Sequence, residues 1–249
     1  MAAHISRRRL LRLSLASLAL GCLCVAPVRA NKRRVPPGGQ RAVVVDERLA
    51  ALREAPSLRA PLVQRLGRGR LVAVMGAPHS TGEGVSFYRV AVTRRTRGWL
   101  QVESVVAPAR AHEDERLWRL IQGSEDFDRL ARARIFLDEF PRSPLRPAVL
   151  LLFGAEAEAA AARLSRDASR RLKESELRAA GAPLHSYFLN FNELDRYRRQ
   201  GIIFTFDETA RQFHYDGASW REILRRYPRS PEATEASKRL ATLSAVSSL

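Results

Sequence analysis

Cysteine is absent from the chain after residue 24: the two present, Cys22 and Cys24, both lie in the first thirty residues. A chain matured beyond that point has no thiol for a disulfide, a metal or a nucleophile, which excludes a disulfide framework and cysteine-peptidase chemistry. Lysine is nearly as scarce, at Lys32, Lys173 and Lys238, so almost every basic residue is arginine. Histidine is sparse after the leader. His79, His112, His185 and His214 are predicted in loop, linker, helix and hairpin, with no His-x-x-x-His pair, so a catalytic zinc motif is missing. No apolar run is long enough to cross a bilayer, which takes about 20 residues.

The longest apolar run, residues 13–25, follows Arg7, Arg8, Arg9 and Arg12 and precedes Val28-Arg29-Ala30. A basic start, a short apolar centre and small residues at its end predict a signal peptide over residues 1–30, cleaved near Ala30, and hence a periplasmic or secreted protein with no transmembrane helix in the mature chain. Residues 6–12 approximate a twin-arginine export pattern, the alternative being an ordinary basic leader. Leu18-Ala19-Leu20-Gly21-Cys22 distantly resembles a lipobox that would lipidate Cys22.

The formal charge is +17, and loss of the leader's five arginines leaves +12. The excess is uneven: residues 31–108 carry 14 basic and 5 acidic side chains, residues 109–249 carry 24 and 21. Such a field favours an anionic partner, which for an exported protein means cell-wall polymer, lipid head groups or acidic proteins, not nucleic acid. A coding bias toward arginine accounts for the excess equally well.

Residues 31–40 are polar and rich in turn formers, and are predicted to be a flexible linker. Beyond them, short apolar or alternating runs at 43–45, 71–75, 88–92 and 99–102 are separated by Pro-Ser, Gly-Arg-Gly and Gly-Glu-Gly punctuation. Short strands at that spacing suggest a small sandwich or barrel. After Pro108 the period lengthens to that of helices. Ser124 is predicted to cap a helix that Pro141 ends; Ser143-Pro144 opens the next, rich in helix formers over residues 150–162; and a third runs over 184–199 to Gly201. Residues 202–206 and 211–215 flank a turn and predict a β-hairpin. An internal repeat is visible, since Phe136-Leu137-Asp138-Glu139-Phe140-Pro141-Arg142-Ser143-Pro144 returns, 87 residues on, as Ile223-Leu224-Arg225-Arg226-Tyr227-Pro228-Arg229-Ser230-Pro231. Each copy would end one helix and start the next.

Two resemblances follow. Residues 41–106 resemble the bacterial SH3 family: Leu52-Arg53-Glu54-Ala55-Pro56-Ser57 is similar to its opening turn, residues 63–69 to its "VxxLxxG" segment, residues 71–76 to its "VxVLG" strand, Phe87-Tyr88-Arg89-Val90 to "WYKV", and Gly98-Trp99-Leu100 to "GWV". Phe87 stands where the family has tryptophan and Ala55 where it has glycine, which implies a turn without positive φ. The repeated helix ends resemble those of tetratricopeptide-type envelope proteins, although 87 residues is not a multiple of the usual spacing of about 34. A degenerate pair of helical hairpins is the reading kept.

The expected fold is therefore α+β and multidomain: an SH3-like β-barrel over 41–107, then a mainly helical, tetratricopeptide-like hairpin-repeat region over 112–245 with an inserted β-hairpin. The expected function is that of a non-catalytic envelope adaptor binding peptidoglycan or another acidic envelope component through the barrel, and an envelope protein through the helices. The alternative is a periplasmic protein-protein scaffold without wall binding. Candidate ligand-binding residues are Phe87, Tyr88, Arg89, Arg94, Arg95, Arg97 and Trp99, aromatic and guanidinium groups suited to carboxylates of stem peptides or acidic segments. Trp99 and one of Phe87 or Tyr88 are expected in the core, the other outside with the 94–97 loop. Tyr187, Phe188, Phe191, Leu194 and Tyr197 recur at helical spacing as core or a peptide groove, and Trp118 and Trp220 as packing anchors. Asp207-Glu208 and Asp216-Gly217 lack a calcium-loop signature and are read as turns, and His214 as a strand residue. No catalytic residue, metal site or cofactor is expected.

Overall fold

A computed structural model describes residues 38–82, 84–171, 193–207 and 209–246. The predicted signal peptide and cleavage site, Cys22, Lys32, Lys173, His185, Tyr187, Phe188, Phe191 and Glu208 lie outside the described residues, as does 184–192 of the third predicted helix.

The architecture is α+β, an N-terminal antiparallel sheet followed by helices. Its strands are β1 (Gln40–Val44), β2 (Ala51–Arg53), β3 (Leu62–Arg65), β4 (Leu71–Val74), β5 (His79–Ser80), β6 (Ser86–Ala91), β7 (Arg97–Gln101) and β8 (Val105–Val106). They pair in the order β3-β2-β7-β6-β4-β1-β8, with β5 beside β6. The sheet is not closed: β3 and β8 end that path instead of pairing with each other, so the closed barrel expected from the strand spacing is not formed. Ala55 lies in a turn without positive φ, as its replacement of glycine implied.

Cross-strand partners share a face. The registers Ala42↔Val72, Val74↔Val90 and Tyr88↔Leu100 set one face of the sheet, and these residues, with Val44, Leu52 and Leu66, form its own apolar core. The opposite face carries Val43↔Leu71, Ala73↔Ala91 and Arg89↔Trp99. One end of that second face is covered by helices. Val43, Val45 and Val106 join the core formed with Leu117, Ile121, Leu130, Phe136 and Val149.

The helices are α1 (Glu113–Gln122), α2 (Asp126–Glu139), α3 (Arg146–Arg171), α4 (Glu193–Arg198), α5 (Ala218–Arg226) and α6 (Glu232–Val246). Ser124 does not cap α2. It is buried, its hydroxyl donates to the Leu120 carbonyl and accepts from Arg132, and Glu125 occupies the cap position without a side-chain bond. The two copies of the repeat take the same turn. Phe140 (φ −120°, ψ 60°) and Tyr227 (φ −131°, ψ 47°) close α2 and α5 with N–H bonds to Phe136 and Ile223, after which Ser143 and Ser230 donate back to their carbonyls. The result is two helical hairpins, α2/α3 and α5/α6, which meet through α3. Trp220, 1% exposed, lies against Gly154 so closely that a Cβ there would sit 2.3 Å from Nε1.

Between the hairpins, β9 (Phe204–Asp207) and β10 (Gln212–Tyr215) form the predicted antiparallel β-hairpin. It is fastened to α3 at two points. Ser165 Oγ accepts the Phe213 N–H at 2.8 Å, and Glu158 accepts from His214 Nδ1 at 2.9 Å and from the Tyr215 N–H at 2.7 Å. His214 is thus a strand residue held by a carboxylate. Asp207 and Asp216 are turn formers: Asp207 accepts the Thr209 and Ala210 amides, and Asp216 the Ala218 amide.

Sheet and helices are joined by a polar seam on α2. Arg132, 4% exposed, donates to Asp46 Oδ2 at 2.9 Å, to the Val45 carbonyl at 3.1 Å and to Ser124. Arg41 of β1 pairs with Glu139 at 2.5 Å, and Arg68 of the β3–β4 turn with Asp128 at 2.9 Å. Burial alone would raise the Asp46 pKa, but hydrogen bonds from Arg48 and the charges of Arg132 and Arg48 hold it below the usual value. A carboxyl depressed in the folded state stabilises above its unfolded pKa of about 3.9, and that contribution is lost as the pH falls through the folded value. Glu139, raised chiefly by burial against the opposing charge of Arg41, acts with the opposite sign.

Arg132→Met takes a donor from the buried Val45 carbonyl and from Ser124 and leaves Asp46 with Arg48 alone, so it is expected to cost about 1–3 kcal/mol in urea unfolding. Asp46→Asn is expected to lose less stability than wild type between pH 5 and pH 3, because the group whose protonation is penalised is gone.

Candidate functional site

The part of the sheet that the helices leave uncovered carries four residues in register. Leu62 of β3 stands opposite Arg53 of β2, Arg53 opposite Trp99 of β7, and Trp99 opposite Arg89 of β6. They form a row across four adjacent strands, with the indole between two guanidinium-bearing residues. A register shift between Leu52 and Arg53 sets the row, because it brings Leu62 opposite Arg53 where an unbroken ladder would bring Val63. His79 of β5 meets the Trp99 ring edge-on, with centroids 5.8 Å apart.

The surroundings are basic and partly apolar. Leu58, Leu62 and Val63, 40%, 49% and 41% exposed, sit on and just before the edge strand β3. Arg89, Arg94, Arg95 and Arg97 are exposed. No carboxylate among the described residues pairs with them or with Arg53, in contrast to the paired arginines of the seam. Arg53 donates Nη1 to the Ala60 carbonyl at 2.7 Å, and its Nε is buried without a partner. The loop carrying Arg94 and Arg95 is ordered: Val92 N–H donates to the Thr96 carbonyl, and Thr93 Oγ1 accepts the amides of Arg95 and Thr96. Five guanidinium groups on an ordered support offer paired donors to carboxylate or phosphate oxygens, and a partly buried indole beside them offers an apolar edge.

Of the residues predicted from sequence, Arg89, Arg94, Arg95, Arg97 and Trp99 lie on this surface and two do not. Phe87 is 1% exposed. Tyr88 points to the inner face, 6% exposed, with Arg110 stacked 4.5 Å over its ring and bonded to its hydroxyl. The expectation that Trp99 is core while Phe87 or Tyr88 is exposed is therefore corrected: Phe87 and Tyr88 are both buried, and Trp99 is only partly buried and belongs to neither apolar core. The reason is that Trp99 shares the outer face with Arg89 beyond the reach of α2, where no described helix joins a core with it. Arg53, His79 and Leu62 were missed. Their strands are two to four residues long, too short for an alternation to show, and Arg53 sits in a segment that reads as a turn.

Elsewhere, Trp118 is half buried against the helical core, and Leu194 and Tyr197 are buried. Among the described residues there is no cluster of three metal-ligating side chains and no helix long and apolar enough to cross a membrane. Comparison of the chain with protein-family models, with curated proteins and with solved structures finds no match.

The reassignment of the aromatics has a direct consequence for stability. Phe87→Ala should cost about 3–5 kcal/mol as a core truncation, whereas Trp99→Ala should cost less, within about 0.5–3 kcal/mol, both read from denaturant midpoints.

Proposed function

We propose that this protein is an exported, non-catalytic adaptor of the cell envelope, in which the N-terminal sheet is an SH3-like module that binds an anionic envelope polymer, with peptidoglycan the leading candidate, and the tetratricopeptide-like helical hairpins hold an envelope protein. The observation that carries the reading is the Leu62-Arg53-Trp99-Arg89 row, with Arg89 exposed and neither arginine paired with a carboxylate among the described residues. Stem peptides of a wall polymer present carboxylates at intervals along an extended chain, and guanidinium forks spaced by an indole suit such a ligand. The leader sequence supports export, and the family-like segments supply the module: "VxVLG" falls on β4, "FYRV" on β6 and "GWL" on β7. An open sheet in place of a closed barrel is a departure from the family, and it leaves β3 as an edge with exposed Leu62 and Val63 beside the row.

Sedimentation of the purified chain with peptidoglycan sacculi tests this reading. Binding is expected at low salt, weakening as ionic strength rises, and Arg89→Glu/Arg97→Glu is expected to lower affinity roughly tenfold or more, equivalent to about 1.4 kcal/mol. Unchanged retention of the double variant would reject the sheet face as the binding surface.

A further inference from the structure

A second basic surface lies in the helical region, apart from the sheet. One face of the C-terminal half of α3 presents Arg166, Ser169 and Arg170, and the turn of the β9–β10 hairpin places Arg211 across from them, enclosing a cleft of about 520 Å³. Its walls are fixed relative to each other because buried Ser165, at the cleft floor, bonds both the Ala161 carbonyl and the Phe213 N–H, tying helix to hairpin. Arg170 pairs with Asp167. The exposed side chains of Arg166 and Arg211 have no hydrogen-bond or ion-pair partner among the described residues.

Arg211 is also held at φ +54°, in the left-handed region. The last loop residue of a hairpin takes this conformation, and glycine ordinarily fills it because a Cβ is disfavoured there. Arginine lacks the short polar side chain that lets Asn or Asp adopt it readily. The hairpin therefore accepts an unfavourable backbone at the one position that aims a guanidinium over the cleft.

We infer that the cleft between α3 and the β9–β10 turn is a binding site for a phosphate monoester, gripped by Arg166, Arg170 and Arg211. A monoester carries nearly two negative charges and three terminal oxygens, matching several guanidinium forks better than a single carboxylate does. A cleft of this volume is in the range that holds an organic molecule rather than a lone ion. The group could be borne by a soluble metabolite or by a lipid head group, which share this chemistry.

Titration calorimetry of the full chain with glycerol 3-phosphate, and flotation with phosphatidylcholine vesicles doped with phosphatidic acid, separate the two sources. Saturable binding of the soluble ester indicates a metabolite, and binding of the doped vesicles alone indicates a lipid. In either case Arg166→Gln and Arg211→Gly should each weaken binding roughly tenfold, while Arg225→Gln/Arg229→Gln, exposed at the end of α5 and in the turn that follows it, should leave it unchanged. Because glycine relieves the strained backbone, Arg211→Gly should melt no lower than wild type, so a loss of binding is not a loss of fold. Absence of binding in both assays, or equal weakening by the Arg225→Gln/Arg229→Gln variant, overturns the inference.

Discussion

The buried guanidinium of Arg132 is the constraint on which the rest of the structure depends. It reaches from the middle of α2 to the carbonyl of Val45 and the carboxylate of Asp46, at the point where β1 leaves the sheet, and its remaining donor is taken by Ser124. A charge this deeply buried is tolerable only with its partners in place. Its geometry therefore fixes how α2 lies on the sheet, with Arg41–Glu139 and Arg68–Asp128 continuing the same seam and Val43, Val45 and Val106 supplying the apolar contact beneath it. Because α2 covers one end of the outer face, the other end stays open, and Trp99 with its flanking arginines is what remains there.

This arrangement divides the arginines into two kinds. Those of the seam are paired with acids, and those of the open face have no carboxylate partner among the described residues. A coding bias can set how many arginines the chain has, but it does not determine which find carboxylates. That follows from where the acids of α2 lie: Asp128 and Glu139 face the sheet's covered end, and the row around Trp99 has no equivalent. The same contrast separates Arg163, paired with Asp126, from Arg166 one turn further along α3, which has no ion-pair partner among the described residues. Fixed, unneutralised guanidinium groups beside apolar surface suit anionic ligands, and the sheet face and the α3–hairpin cleft offer two such places of different shape.

Much of this was legible in the sequence where a pattern is local. The repeated helix ends were readable because Phe140-Pro141 and Tyr227-Pro228 each carry their own stop and start signals, and the β9–β10 hairpin because its strands flank a four-residue turn. The longer strands β4, β6 and β7 stood out as apolar or alternating runs. What could not be read depends on partners distant in the chain. Strand β2 has three residues and owes its existence to β3 and β7. The exposure of Trp99 depends on how far α2 extends over the sheet, and nothing near residue 99 encodes it. Arg132 reads as a solvated helix position, yet it is buried because Asp46, 86 residues earlier, meets it. Ser124 has the composition of a cap, and the demand of that same guanidinium for an acceptor takes its hydroxyl elsewhere.

The sheet and the helical hairpins form one cooperative body joined through α2, so that the sheet face around Trp99 is held in shape by the helices behind it. Scanning calorimetry of the protein tests this most directly. The seam predicts a single transition whose calorimetric and van't Hoff enthalpies agree. Two separable transitions, one for the sheet and one for the helices, would contradict it.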